Sequence, residues 1–141
     1  MSYAEIGIAL AVPALVGNAV EPLLGVAGDT PRRRLLVLSG GGAFAAAGAF
    51  AAAATGFWPL VAALVLGYTA STAFVSLAQA SLMDLEPAAR ELNMARWTLA
   101  GSFGVVGGPL LLAVAVAVGV GWRGALLVPA VAAVVVTALA R

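Results

Sequence analysis

The sequence predicts an all-α membrane protein, a polytopic bundle of about five transmembrane helices. Three observations predict it. Of the 141 residues, 63% are hydrophobic and only 9% charged, with a mean hydropathy of +1.09, whereas soluble domains carry about a quarter charged residues. The charges collect in short breaks between apolar runs. Those runs approach the roughly 20 residues of helix that cross a hydrocarbon core about 30 Å thick, so five spans with short connections use up the chain.

The first span is expected near Ile6–Ala27. Met1 to Glu5 has no basic start and the apolar run is long, so this is not a cleavable secretory signal. Glu21 is the ionisable residue well inside a predicted span, with Asn18 three residues earlier on the same face. An intramembrane charge costs on the order of a few kcal/mol, so Glu21 has to face protein or water, pair with a partner, or carry a proton. Two readings stand: a coupling or substrate-binding role, or a structural hydrogen bond beside the helix-loosening Pro22.

The second span is expected near Leu35–Ala54. Gly41, Ala45, Ala49 and Ala52 recur at about one helical turn, which lets a neighbouring helix come close; the alternative is a plain lipid-facing alanine helix. The third span, near Leu60–Leu82, carries Tyr68, Thr72, Ser76 and Gln79 near one face, a polar stripe fit to line a cavity. The segment Met83–Trp97 holds Asp84, Glu86, Arg90, Glu91, Asn93 and Arg96. It reads either as a solvated, self-paired loop with a short helix started by Pro87, or as a partner for Arg32, Arg33 and Arg34. The fourth span, near Thr98–Val118, places Gly101, Gly104 and Gly108 on one face ahead of Pro109, giving close packing with a bend. The fifth, near Gly124–Ala140, follows Gly121, Trp122 and Arg123, whose indole suits a membrane interface.

Short loops make successive helices antiparallel, and the arginines then sort by side. Arg32 to Arg34, Arg90, Arg96 and Arg141 share one face and Arg123 lies opposite. The first, third and terminal segments are therefore cytoplasmic, and Met1 starts outside. An odd number of spans with an uncharged external start leads us to expect a further helix upstream.

The composition excludes much else. The net charge of +1 provides no basic footprint for nucleic acid. With no cysteine and no histidine, disulfides, thiol nucleophiles, imidazole bases and the commonest metal ligands are all missing. Gly40, Gly41 and Gly42 lack the lysine a phosphate loop needs. No enzyme, cofactor or metal site is expected.

The segment Gly25 to Arg34 resembles the loop signature between the second and third helices of the major facilitator superfamily. Gly25 and Asp29 match in spacing, and Arg33 and Arg34 fill the basic positions; Thr30 replaces a basic residue, and the central glycine is Pro31 or Arg32. Gly104, Gly108 and Pro109 match the core of the family's fifth-helix signature, although Leu112 and Ala113 replace its trailing glycines. Gly121 to Arg123 is similar to the external turn before the sixth helix. The region Leu64–Ala73 lacks the arginine of the family's fourth-helix signature. The resemblance therefore implies helices two to six of an N-terminal half, acting in alternating-access transport of a small solute, with proton coupling as an option. Gly25, Asp29, Arg33 and Arg34 would form the cytoplasmic gate, and Asn18, Glu21, Tyr68, Thr72 and Gln79 would be cavity or coupling residues. The implied partners are the lipid bilayer, an unknown small-molecule substrate and the remaining transporter half or a homologous bundle. The family's fold uses twelve helices, so a small membrane interaction protein, or a non-functional transporter fragment, stays open as the alternative. The arginine- and alanine-rich usage fits a bacterial inner membrane.

The orientation is directly testable, because the chain has no cysteine of its own. In sealed vesicles, Arg33→Cys and Arg123→Cys should react with a membrane-impermeant maleimide from opposite sides. Labelling of both from one side would overturn the topology.

Overall fold

The computed structural model describes residues 2–140, so the orientation assigned to Met1 and Arg141 lies outside the described residues. Five helices follow one another: α1 (Tyr3–Gly28), α2 (Arg33–Ala53), α3 (Phe57–Leu85), α4 (Arg90–Ala117) and α5 (Gly121–Leu139). All five are long and apolar enough to cross a membrane, and no strand occurs among the described residues. Helix dominates because hydrocarbon offers backbone N–H and C=O groups no partner except one another.

The helix ends show where local chemistry acts. α1 starts three residues before the expected Ile6, because Ser2 and Glu5 form a capping box: the Ser2 N–H donates to the Glu5 carboxylate at 2.6 Å and the Glu5 N–H donates to Ser2 Oγ at 3.2 Å. This pairing satisfies two of the donors a helix start leaves bare. The turn into α2 is set by Thr30, whose hydroxyl donates to the Ala27 carbonyl at 2.6 Å and accepts from the Arg32 N–H at 3.3 Å, and by Pro31, which cannot continue a helix. In α3, Pro59 sits in the first turn, where its missing N–H costs nothing.

α3 and α4 both depart from the expected boundaries. α3 has 29 residues, about 43 Å at 1.5 Å per residue, so it is longer than a hydrocarbon core. Where an extended polar loop with a short helix was one expectation, a single 3-10 turn at Pro87–Ala89 leads straight into α4 at Arg90. Arg90, Glu91 and Arg96 therefore stand on the first turns of α4. The turn into α5 needs two left-handed residues, Gly119 at φ 81° and Gly121 at φ 74°, a conformation that glycine adopts without strain. Trp122 and Arg123 fall within the first turn of α5 rather than ahead of it.

α2 is the centre of the bundle, packed between α3 on one side and α5 on the other, while α1 lies mainly against α3. Its small residues serve two faces. Toward α3, a Cβ on Gly40 would come within 3.0 Å of the Phe74 backbone nitrogen, and Ala47 lies 3.4 Å from where a Cβ on Gly67 would stand. Toward α5, a Cβ on Gly41 would collide with Thr137 Oγ1, and one on Gly48 would meet the Ala130 methyl at 2.9 Å. Of the stripe read from the sequence, Gly41 and Ala45 are buried and Ala52 half-buried, but Ala49 is exposed. A single stripe was too narrow a reading, because the helix has neighbours on two sides.

α4 is the reverse case. Only Asn93 and Ala115 are buried along its length, and nothing lies within 4 Å of a Cβ built on Gly101, Gly104, Gly107 or Gly108. Among the described residues, the face that carries Gly104 and Gly108 meets no other helix.

These two environments predict opposite outcomes for one substitution. Gly40→Ala should destabilise the bundle by about 1–3 kcal/mol, the usual cost of overpacking. Gly104→Ala should be neutral or stabilising by up to about 1 kcal/mol, since alanine is the better helix residue and space is free. Equilibrium unfolding in mixed detergent micelles measures both.

Candidate functional site

The ends of α1 and α3 and the start of α2 meet at one end of the bundle around a single guanidinium. Arg33 Nε donates to the Gly28 carbonyl at 2.7 Å, one Nη atom pairs with Asp84 at the end of α3, and the other lies 3.6 Å from Asp29 Oδ1. The Gly28 contact places positive charge on the carbonyl end of α1, where the helix dipole is negative. The same charge lies at the start of α2, where the dipole opposes it, and no acidic residue occupies the first turn of α2. The two aspartates supply that compensation from outside. Arg34 reaches the other way and donates to the Ala140 carbonyl at the end of α5 at 3.3 Å. Consecutive arginines thus tie α2 to α1 and α3 on one side and to α5 on the other.

Of the gate residues named from the sequence, Asp29, Arg33 and Arg34 come together here. Gly25 accepts the Asp29 N–H through its carbonyl at 3.2 Å, which helps to close the last turn of α1. Asp84 belongs to the segment for which pairing with Arg32, Arg33 and Arg34 was the second reading, and it is the residue of that segment that joins α3 to the cluster through Arg33. The available signal was its position: an acid at the end of a span, on the face that gathers the arginines.

Above this cluster the seam between α1 and α3 is held at two glycines. A Cβ on Gly17 would collide with the Tyr68 ring, and one on Gly28 would collide with Leu77. Between the two contacts the seam opens into a cavity of about 260 Å³ lined by Glu21, Asp29, Arg33, Thr72 and Ser76. Glu21 is directed there by helical geometry. Four residues after Gly17 it is rotated by only about 40°, so it stays near the face that α1 turns to α3. Asn18 is rotated by about 100° from Gly17 and is exposed, outside this cavity. Asn18 and Glu21, about 60° apart around the helix, stay near one face and are both exposed, but Glu21 lines the cavity and Asn18 does not.

The polar stripe of α3 divides in the same way. Tyr68, Thr72 and Ser76 face the α1 side, and the Thr72 hydroxyl donates to the Tyr68 carbonyl at 3.1 Å. Gln79 instead turns its amide toward Met94 Sδ of α4, at 3.2 Å. Toward the opposite membrane face, α1, α2, α3 and α5 surround a second cavity of about 410 Å³. Its lining, including Leu10, Phe44, Leu64 and Leu126, is almost wholly apolar. Arg123 closes that end: its two Nη atoms donate to the Ala52 and Ala54 carbonyls, the latter at 2.7 Å, and the guanidinium lies 4.8 Å from the Trp122 ring centroid. The carbonyls at the end of α2 are thereby capped from α5, a role that reading Arg123 as part of a turn did not reveal.

Five apolar helices packed through small residues, with arginine clusters bracing both ends, define a polytopic integral membrane protein. Comparison with known families makes the assignment specific: the model of the Major Facilitator Superfamily matches residues 1–141, and the chain belongs to that family, whose members are transporters. No curated protein and no solved structure matches the chain.

The Arg33–Asp84 contact can be isolated by a double-mutant cycle with Arg33→Ala and Asp84→Ala. Arg33 is 27% exposed and Asp84 58% exposed, so the coupling energy should be about 1 kcal/mol or less and should shrink at high salt. Arg33→Ala alone should cost more than Asp84→Ala, because it also strips the Gly28 carbonyl of its donor. A coupling energy of zero at low salt would show that the two side chains do not interact.

Proposed function

We propose that this chain is part of a secondary carrier that moves a small solute across a membrane by alternating access. The cluster of Asp29, Arg33, Arg34 and Asp84 acts as its cytoplasmic latch. The observation that carries this reading is the convergence of three helix ends on Arg33, since a brace made of exchangeable hydrogen bonds and ion pairs can release and re-form as bundles rock. Glu21 serves as the coupling group, placed within a span and opening on a polar cavity. Proton coupling suits it, because a lone carboxylate within a span can take up and release a proton. The bilayer, the transported solute and the remaining transporter half are its partners, and a bacterial inner membrane is its setting.

A second reading, assembly of a membrane complex without transport, draws on the uncovered glycine face of α4. The two separate in one assay. In vesicles containing the carrier that includes this chain, a panel of small solutes is offered under an imposed pH gradient, and interior pH and solute content are followed together. Transport predicts that Glu21→Gln slows coupled uptake by about tenfold or more, equivalent to about 1.4 kcal/mol of barrier. Unchanged uptake in both Glu21→Gln and Arg33→Ala would remove the proposed roles, and intact assembly with no uptake of any solute would favour the second reading.

A further inference from the structure

We propose that Met94 is a redox modification site: oxidation of its thioether by a peroxide gives the Gln79 amide a strong acceptor and clamps the start of α4 to α3. This inference goes beyond transport and does not rest on the cluster at Arg33.

α4 is the helix the bundle grips least, since only Asn93 and Ala115 are buried along it. Its one side-chain hydrogen bond to α3 among the described residues is that of Gln79 Nε2, which donates to Met94 Sδ at 3.2 Å. A thioether sulfur is a weak acceptor, so this tie contributes little as it stands. The residue before Met94 makes the shortage plainer. Asn93 is only 5% exposed and its Nδ2 has no hydrogen-bond partner, although a buried amide donor normally finds one. Around the first turns of α4, one carboxamide donor is therefore spent on sulfur and another is left bare. A strong acceptor is what this junction lacks.

Met94 is placed to acquire one. It is 46% exposed and lines an open groove of about 760 Å³ with Arg90, Glu91, Thr98 and Ser102. Arg90 and Arg96 flank it in the sequence, and charged side chains near a helix end hold that stretch at the boundary between membrane and water. A dissolved peroxide therefore reaches the sulfur. Met83, at the end of α3, is half-buried and provides an internal reference.

In the oxidation step, a sulfur lone pair attacks one peroxide oxygen, the S–O bond forms as the O–O bond breaks, and hydroxide leaves. The hydroxide then takes the proton from the new oxygen and becomes water. Sulfur has lost two electrons and the peroxide has gained them. The product is a polar sulfoxide, which methionine sulfoxide reductases return to the thioether. Methionine is unbranched and turns about three bonds, and the glutamine side chain is flexible too, so the amide that meets sulfur can follow the new oxygen.

The test uses the full chain in lipid nanodiscs treated with hydrogen peroxide. Peptide mass mapping should find one added oxygen on Met94 before any on Met83. Amide hydrogen exchange at the start of α4 and around Gln79 should then slow by about fivefold, the effect of roughly one net hydrogen bond. Methionine sulfoxide reductase with its reductant should restore the original rate. Gln79→Leu should take up the oxygen equally yet show no slowing. Met94→Gln, which offers an amide oxygen from the same position, should slow exchange without peroxide. Oxidation of Met83 ahead of Met94, exchange that is unchanged or faster once Met94 is oxidised, or slowing that persists in Gln79→Leu would each overturn the proposal.

Discussion

Apolar side chains gain nothing from leaving one another for lipid tails that are equally apolar. Helices in a bilayer are held instead by close van der Waals fit and by the few polar contacts they can make. The bundle follows from that constraint. α2 has almost no bulk on the sides it turns to α3 and α5, and the contacts at Gly40, Gly41 and Gly48 leave no room for a methyl group without displacement. α1 meets α3 by the same device at Gly17 and Gly28, where a ring and an isobutyl group fill the space a side chain would need. Where the device lacks a counterpart, as along α4, packing is sparse, and only Asn93 and Ala115 are buried.

Polar contacts then act where the spans end. Arg33, Arg34 and Arg123 all spend hydrogen bonds on backbone carbonyls at helix C-termini, of α1, α5 and α2 in turn. Those carbonyls have no intrahelical partner, and a guanidinium offers five donors in a rigid fork. The same residues that orient the chain by their charge therefore also satisfy its backbone and join its helices.

The helical class, the number of membrane-crossing helices and the family were legible in composition, in the spacing of breaks and in the segments around Asp29 and Pro109. Their physical basis is local, since a span reveals itself by its own length and polarity. What stayed hidden was pairwise. The acidic segment could be read as a partner for the arginines, but nothing in the order of residues says that it is Arg33 and Asp84, 51 positions apart, that meet, or that Gln79 turns to Met94 rather than toward Thr72. The glycine motif of α4 shows the converse. Its spacing proposes a packing face, but spacing cannot supply the neighbour. Helical angles did carry more than was drawn from them: with Gly17 facing α3, Glu21 lies only about 40° from that face. The Ser2–Glu5 capping box was equally readable, as a serine followed by an acid three positions on.

A rod gripped by glycine contacts on two flanks has lost its freedom to roll. Turning α2 about its axis by a single residue in either sense would bring Ala47 or Ala49 to the place of Gly48, against the Ala130 methyl, and in one sense would also bring Ser39 to the place of Gly40, against the Phe74 backbone. Any rearrangement of this chain therefore has to carry α2, α3 and α5 together as a stator. Motion is left to α1, which bears on the block along one seam, and to α4, which the block scarcely grips.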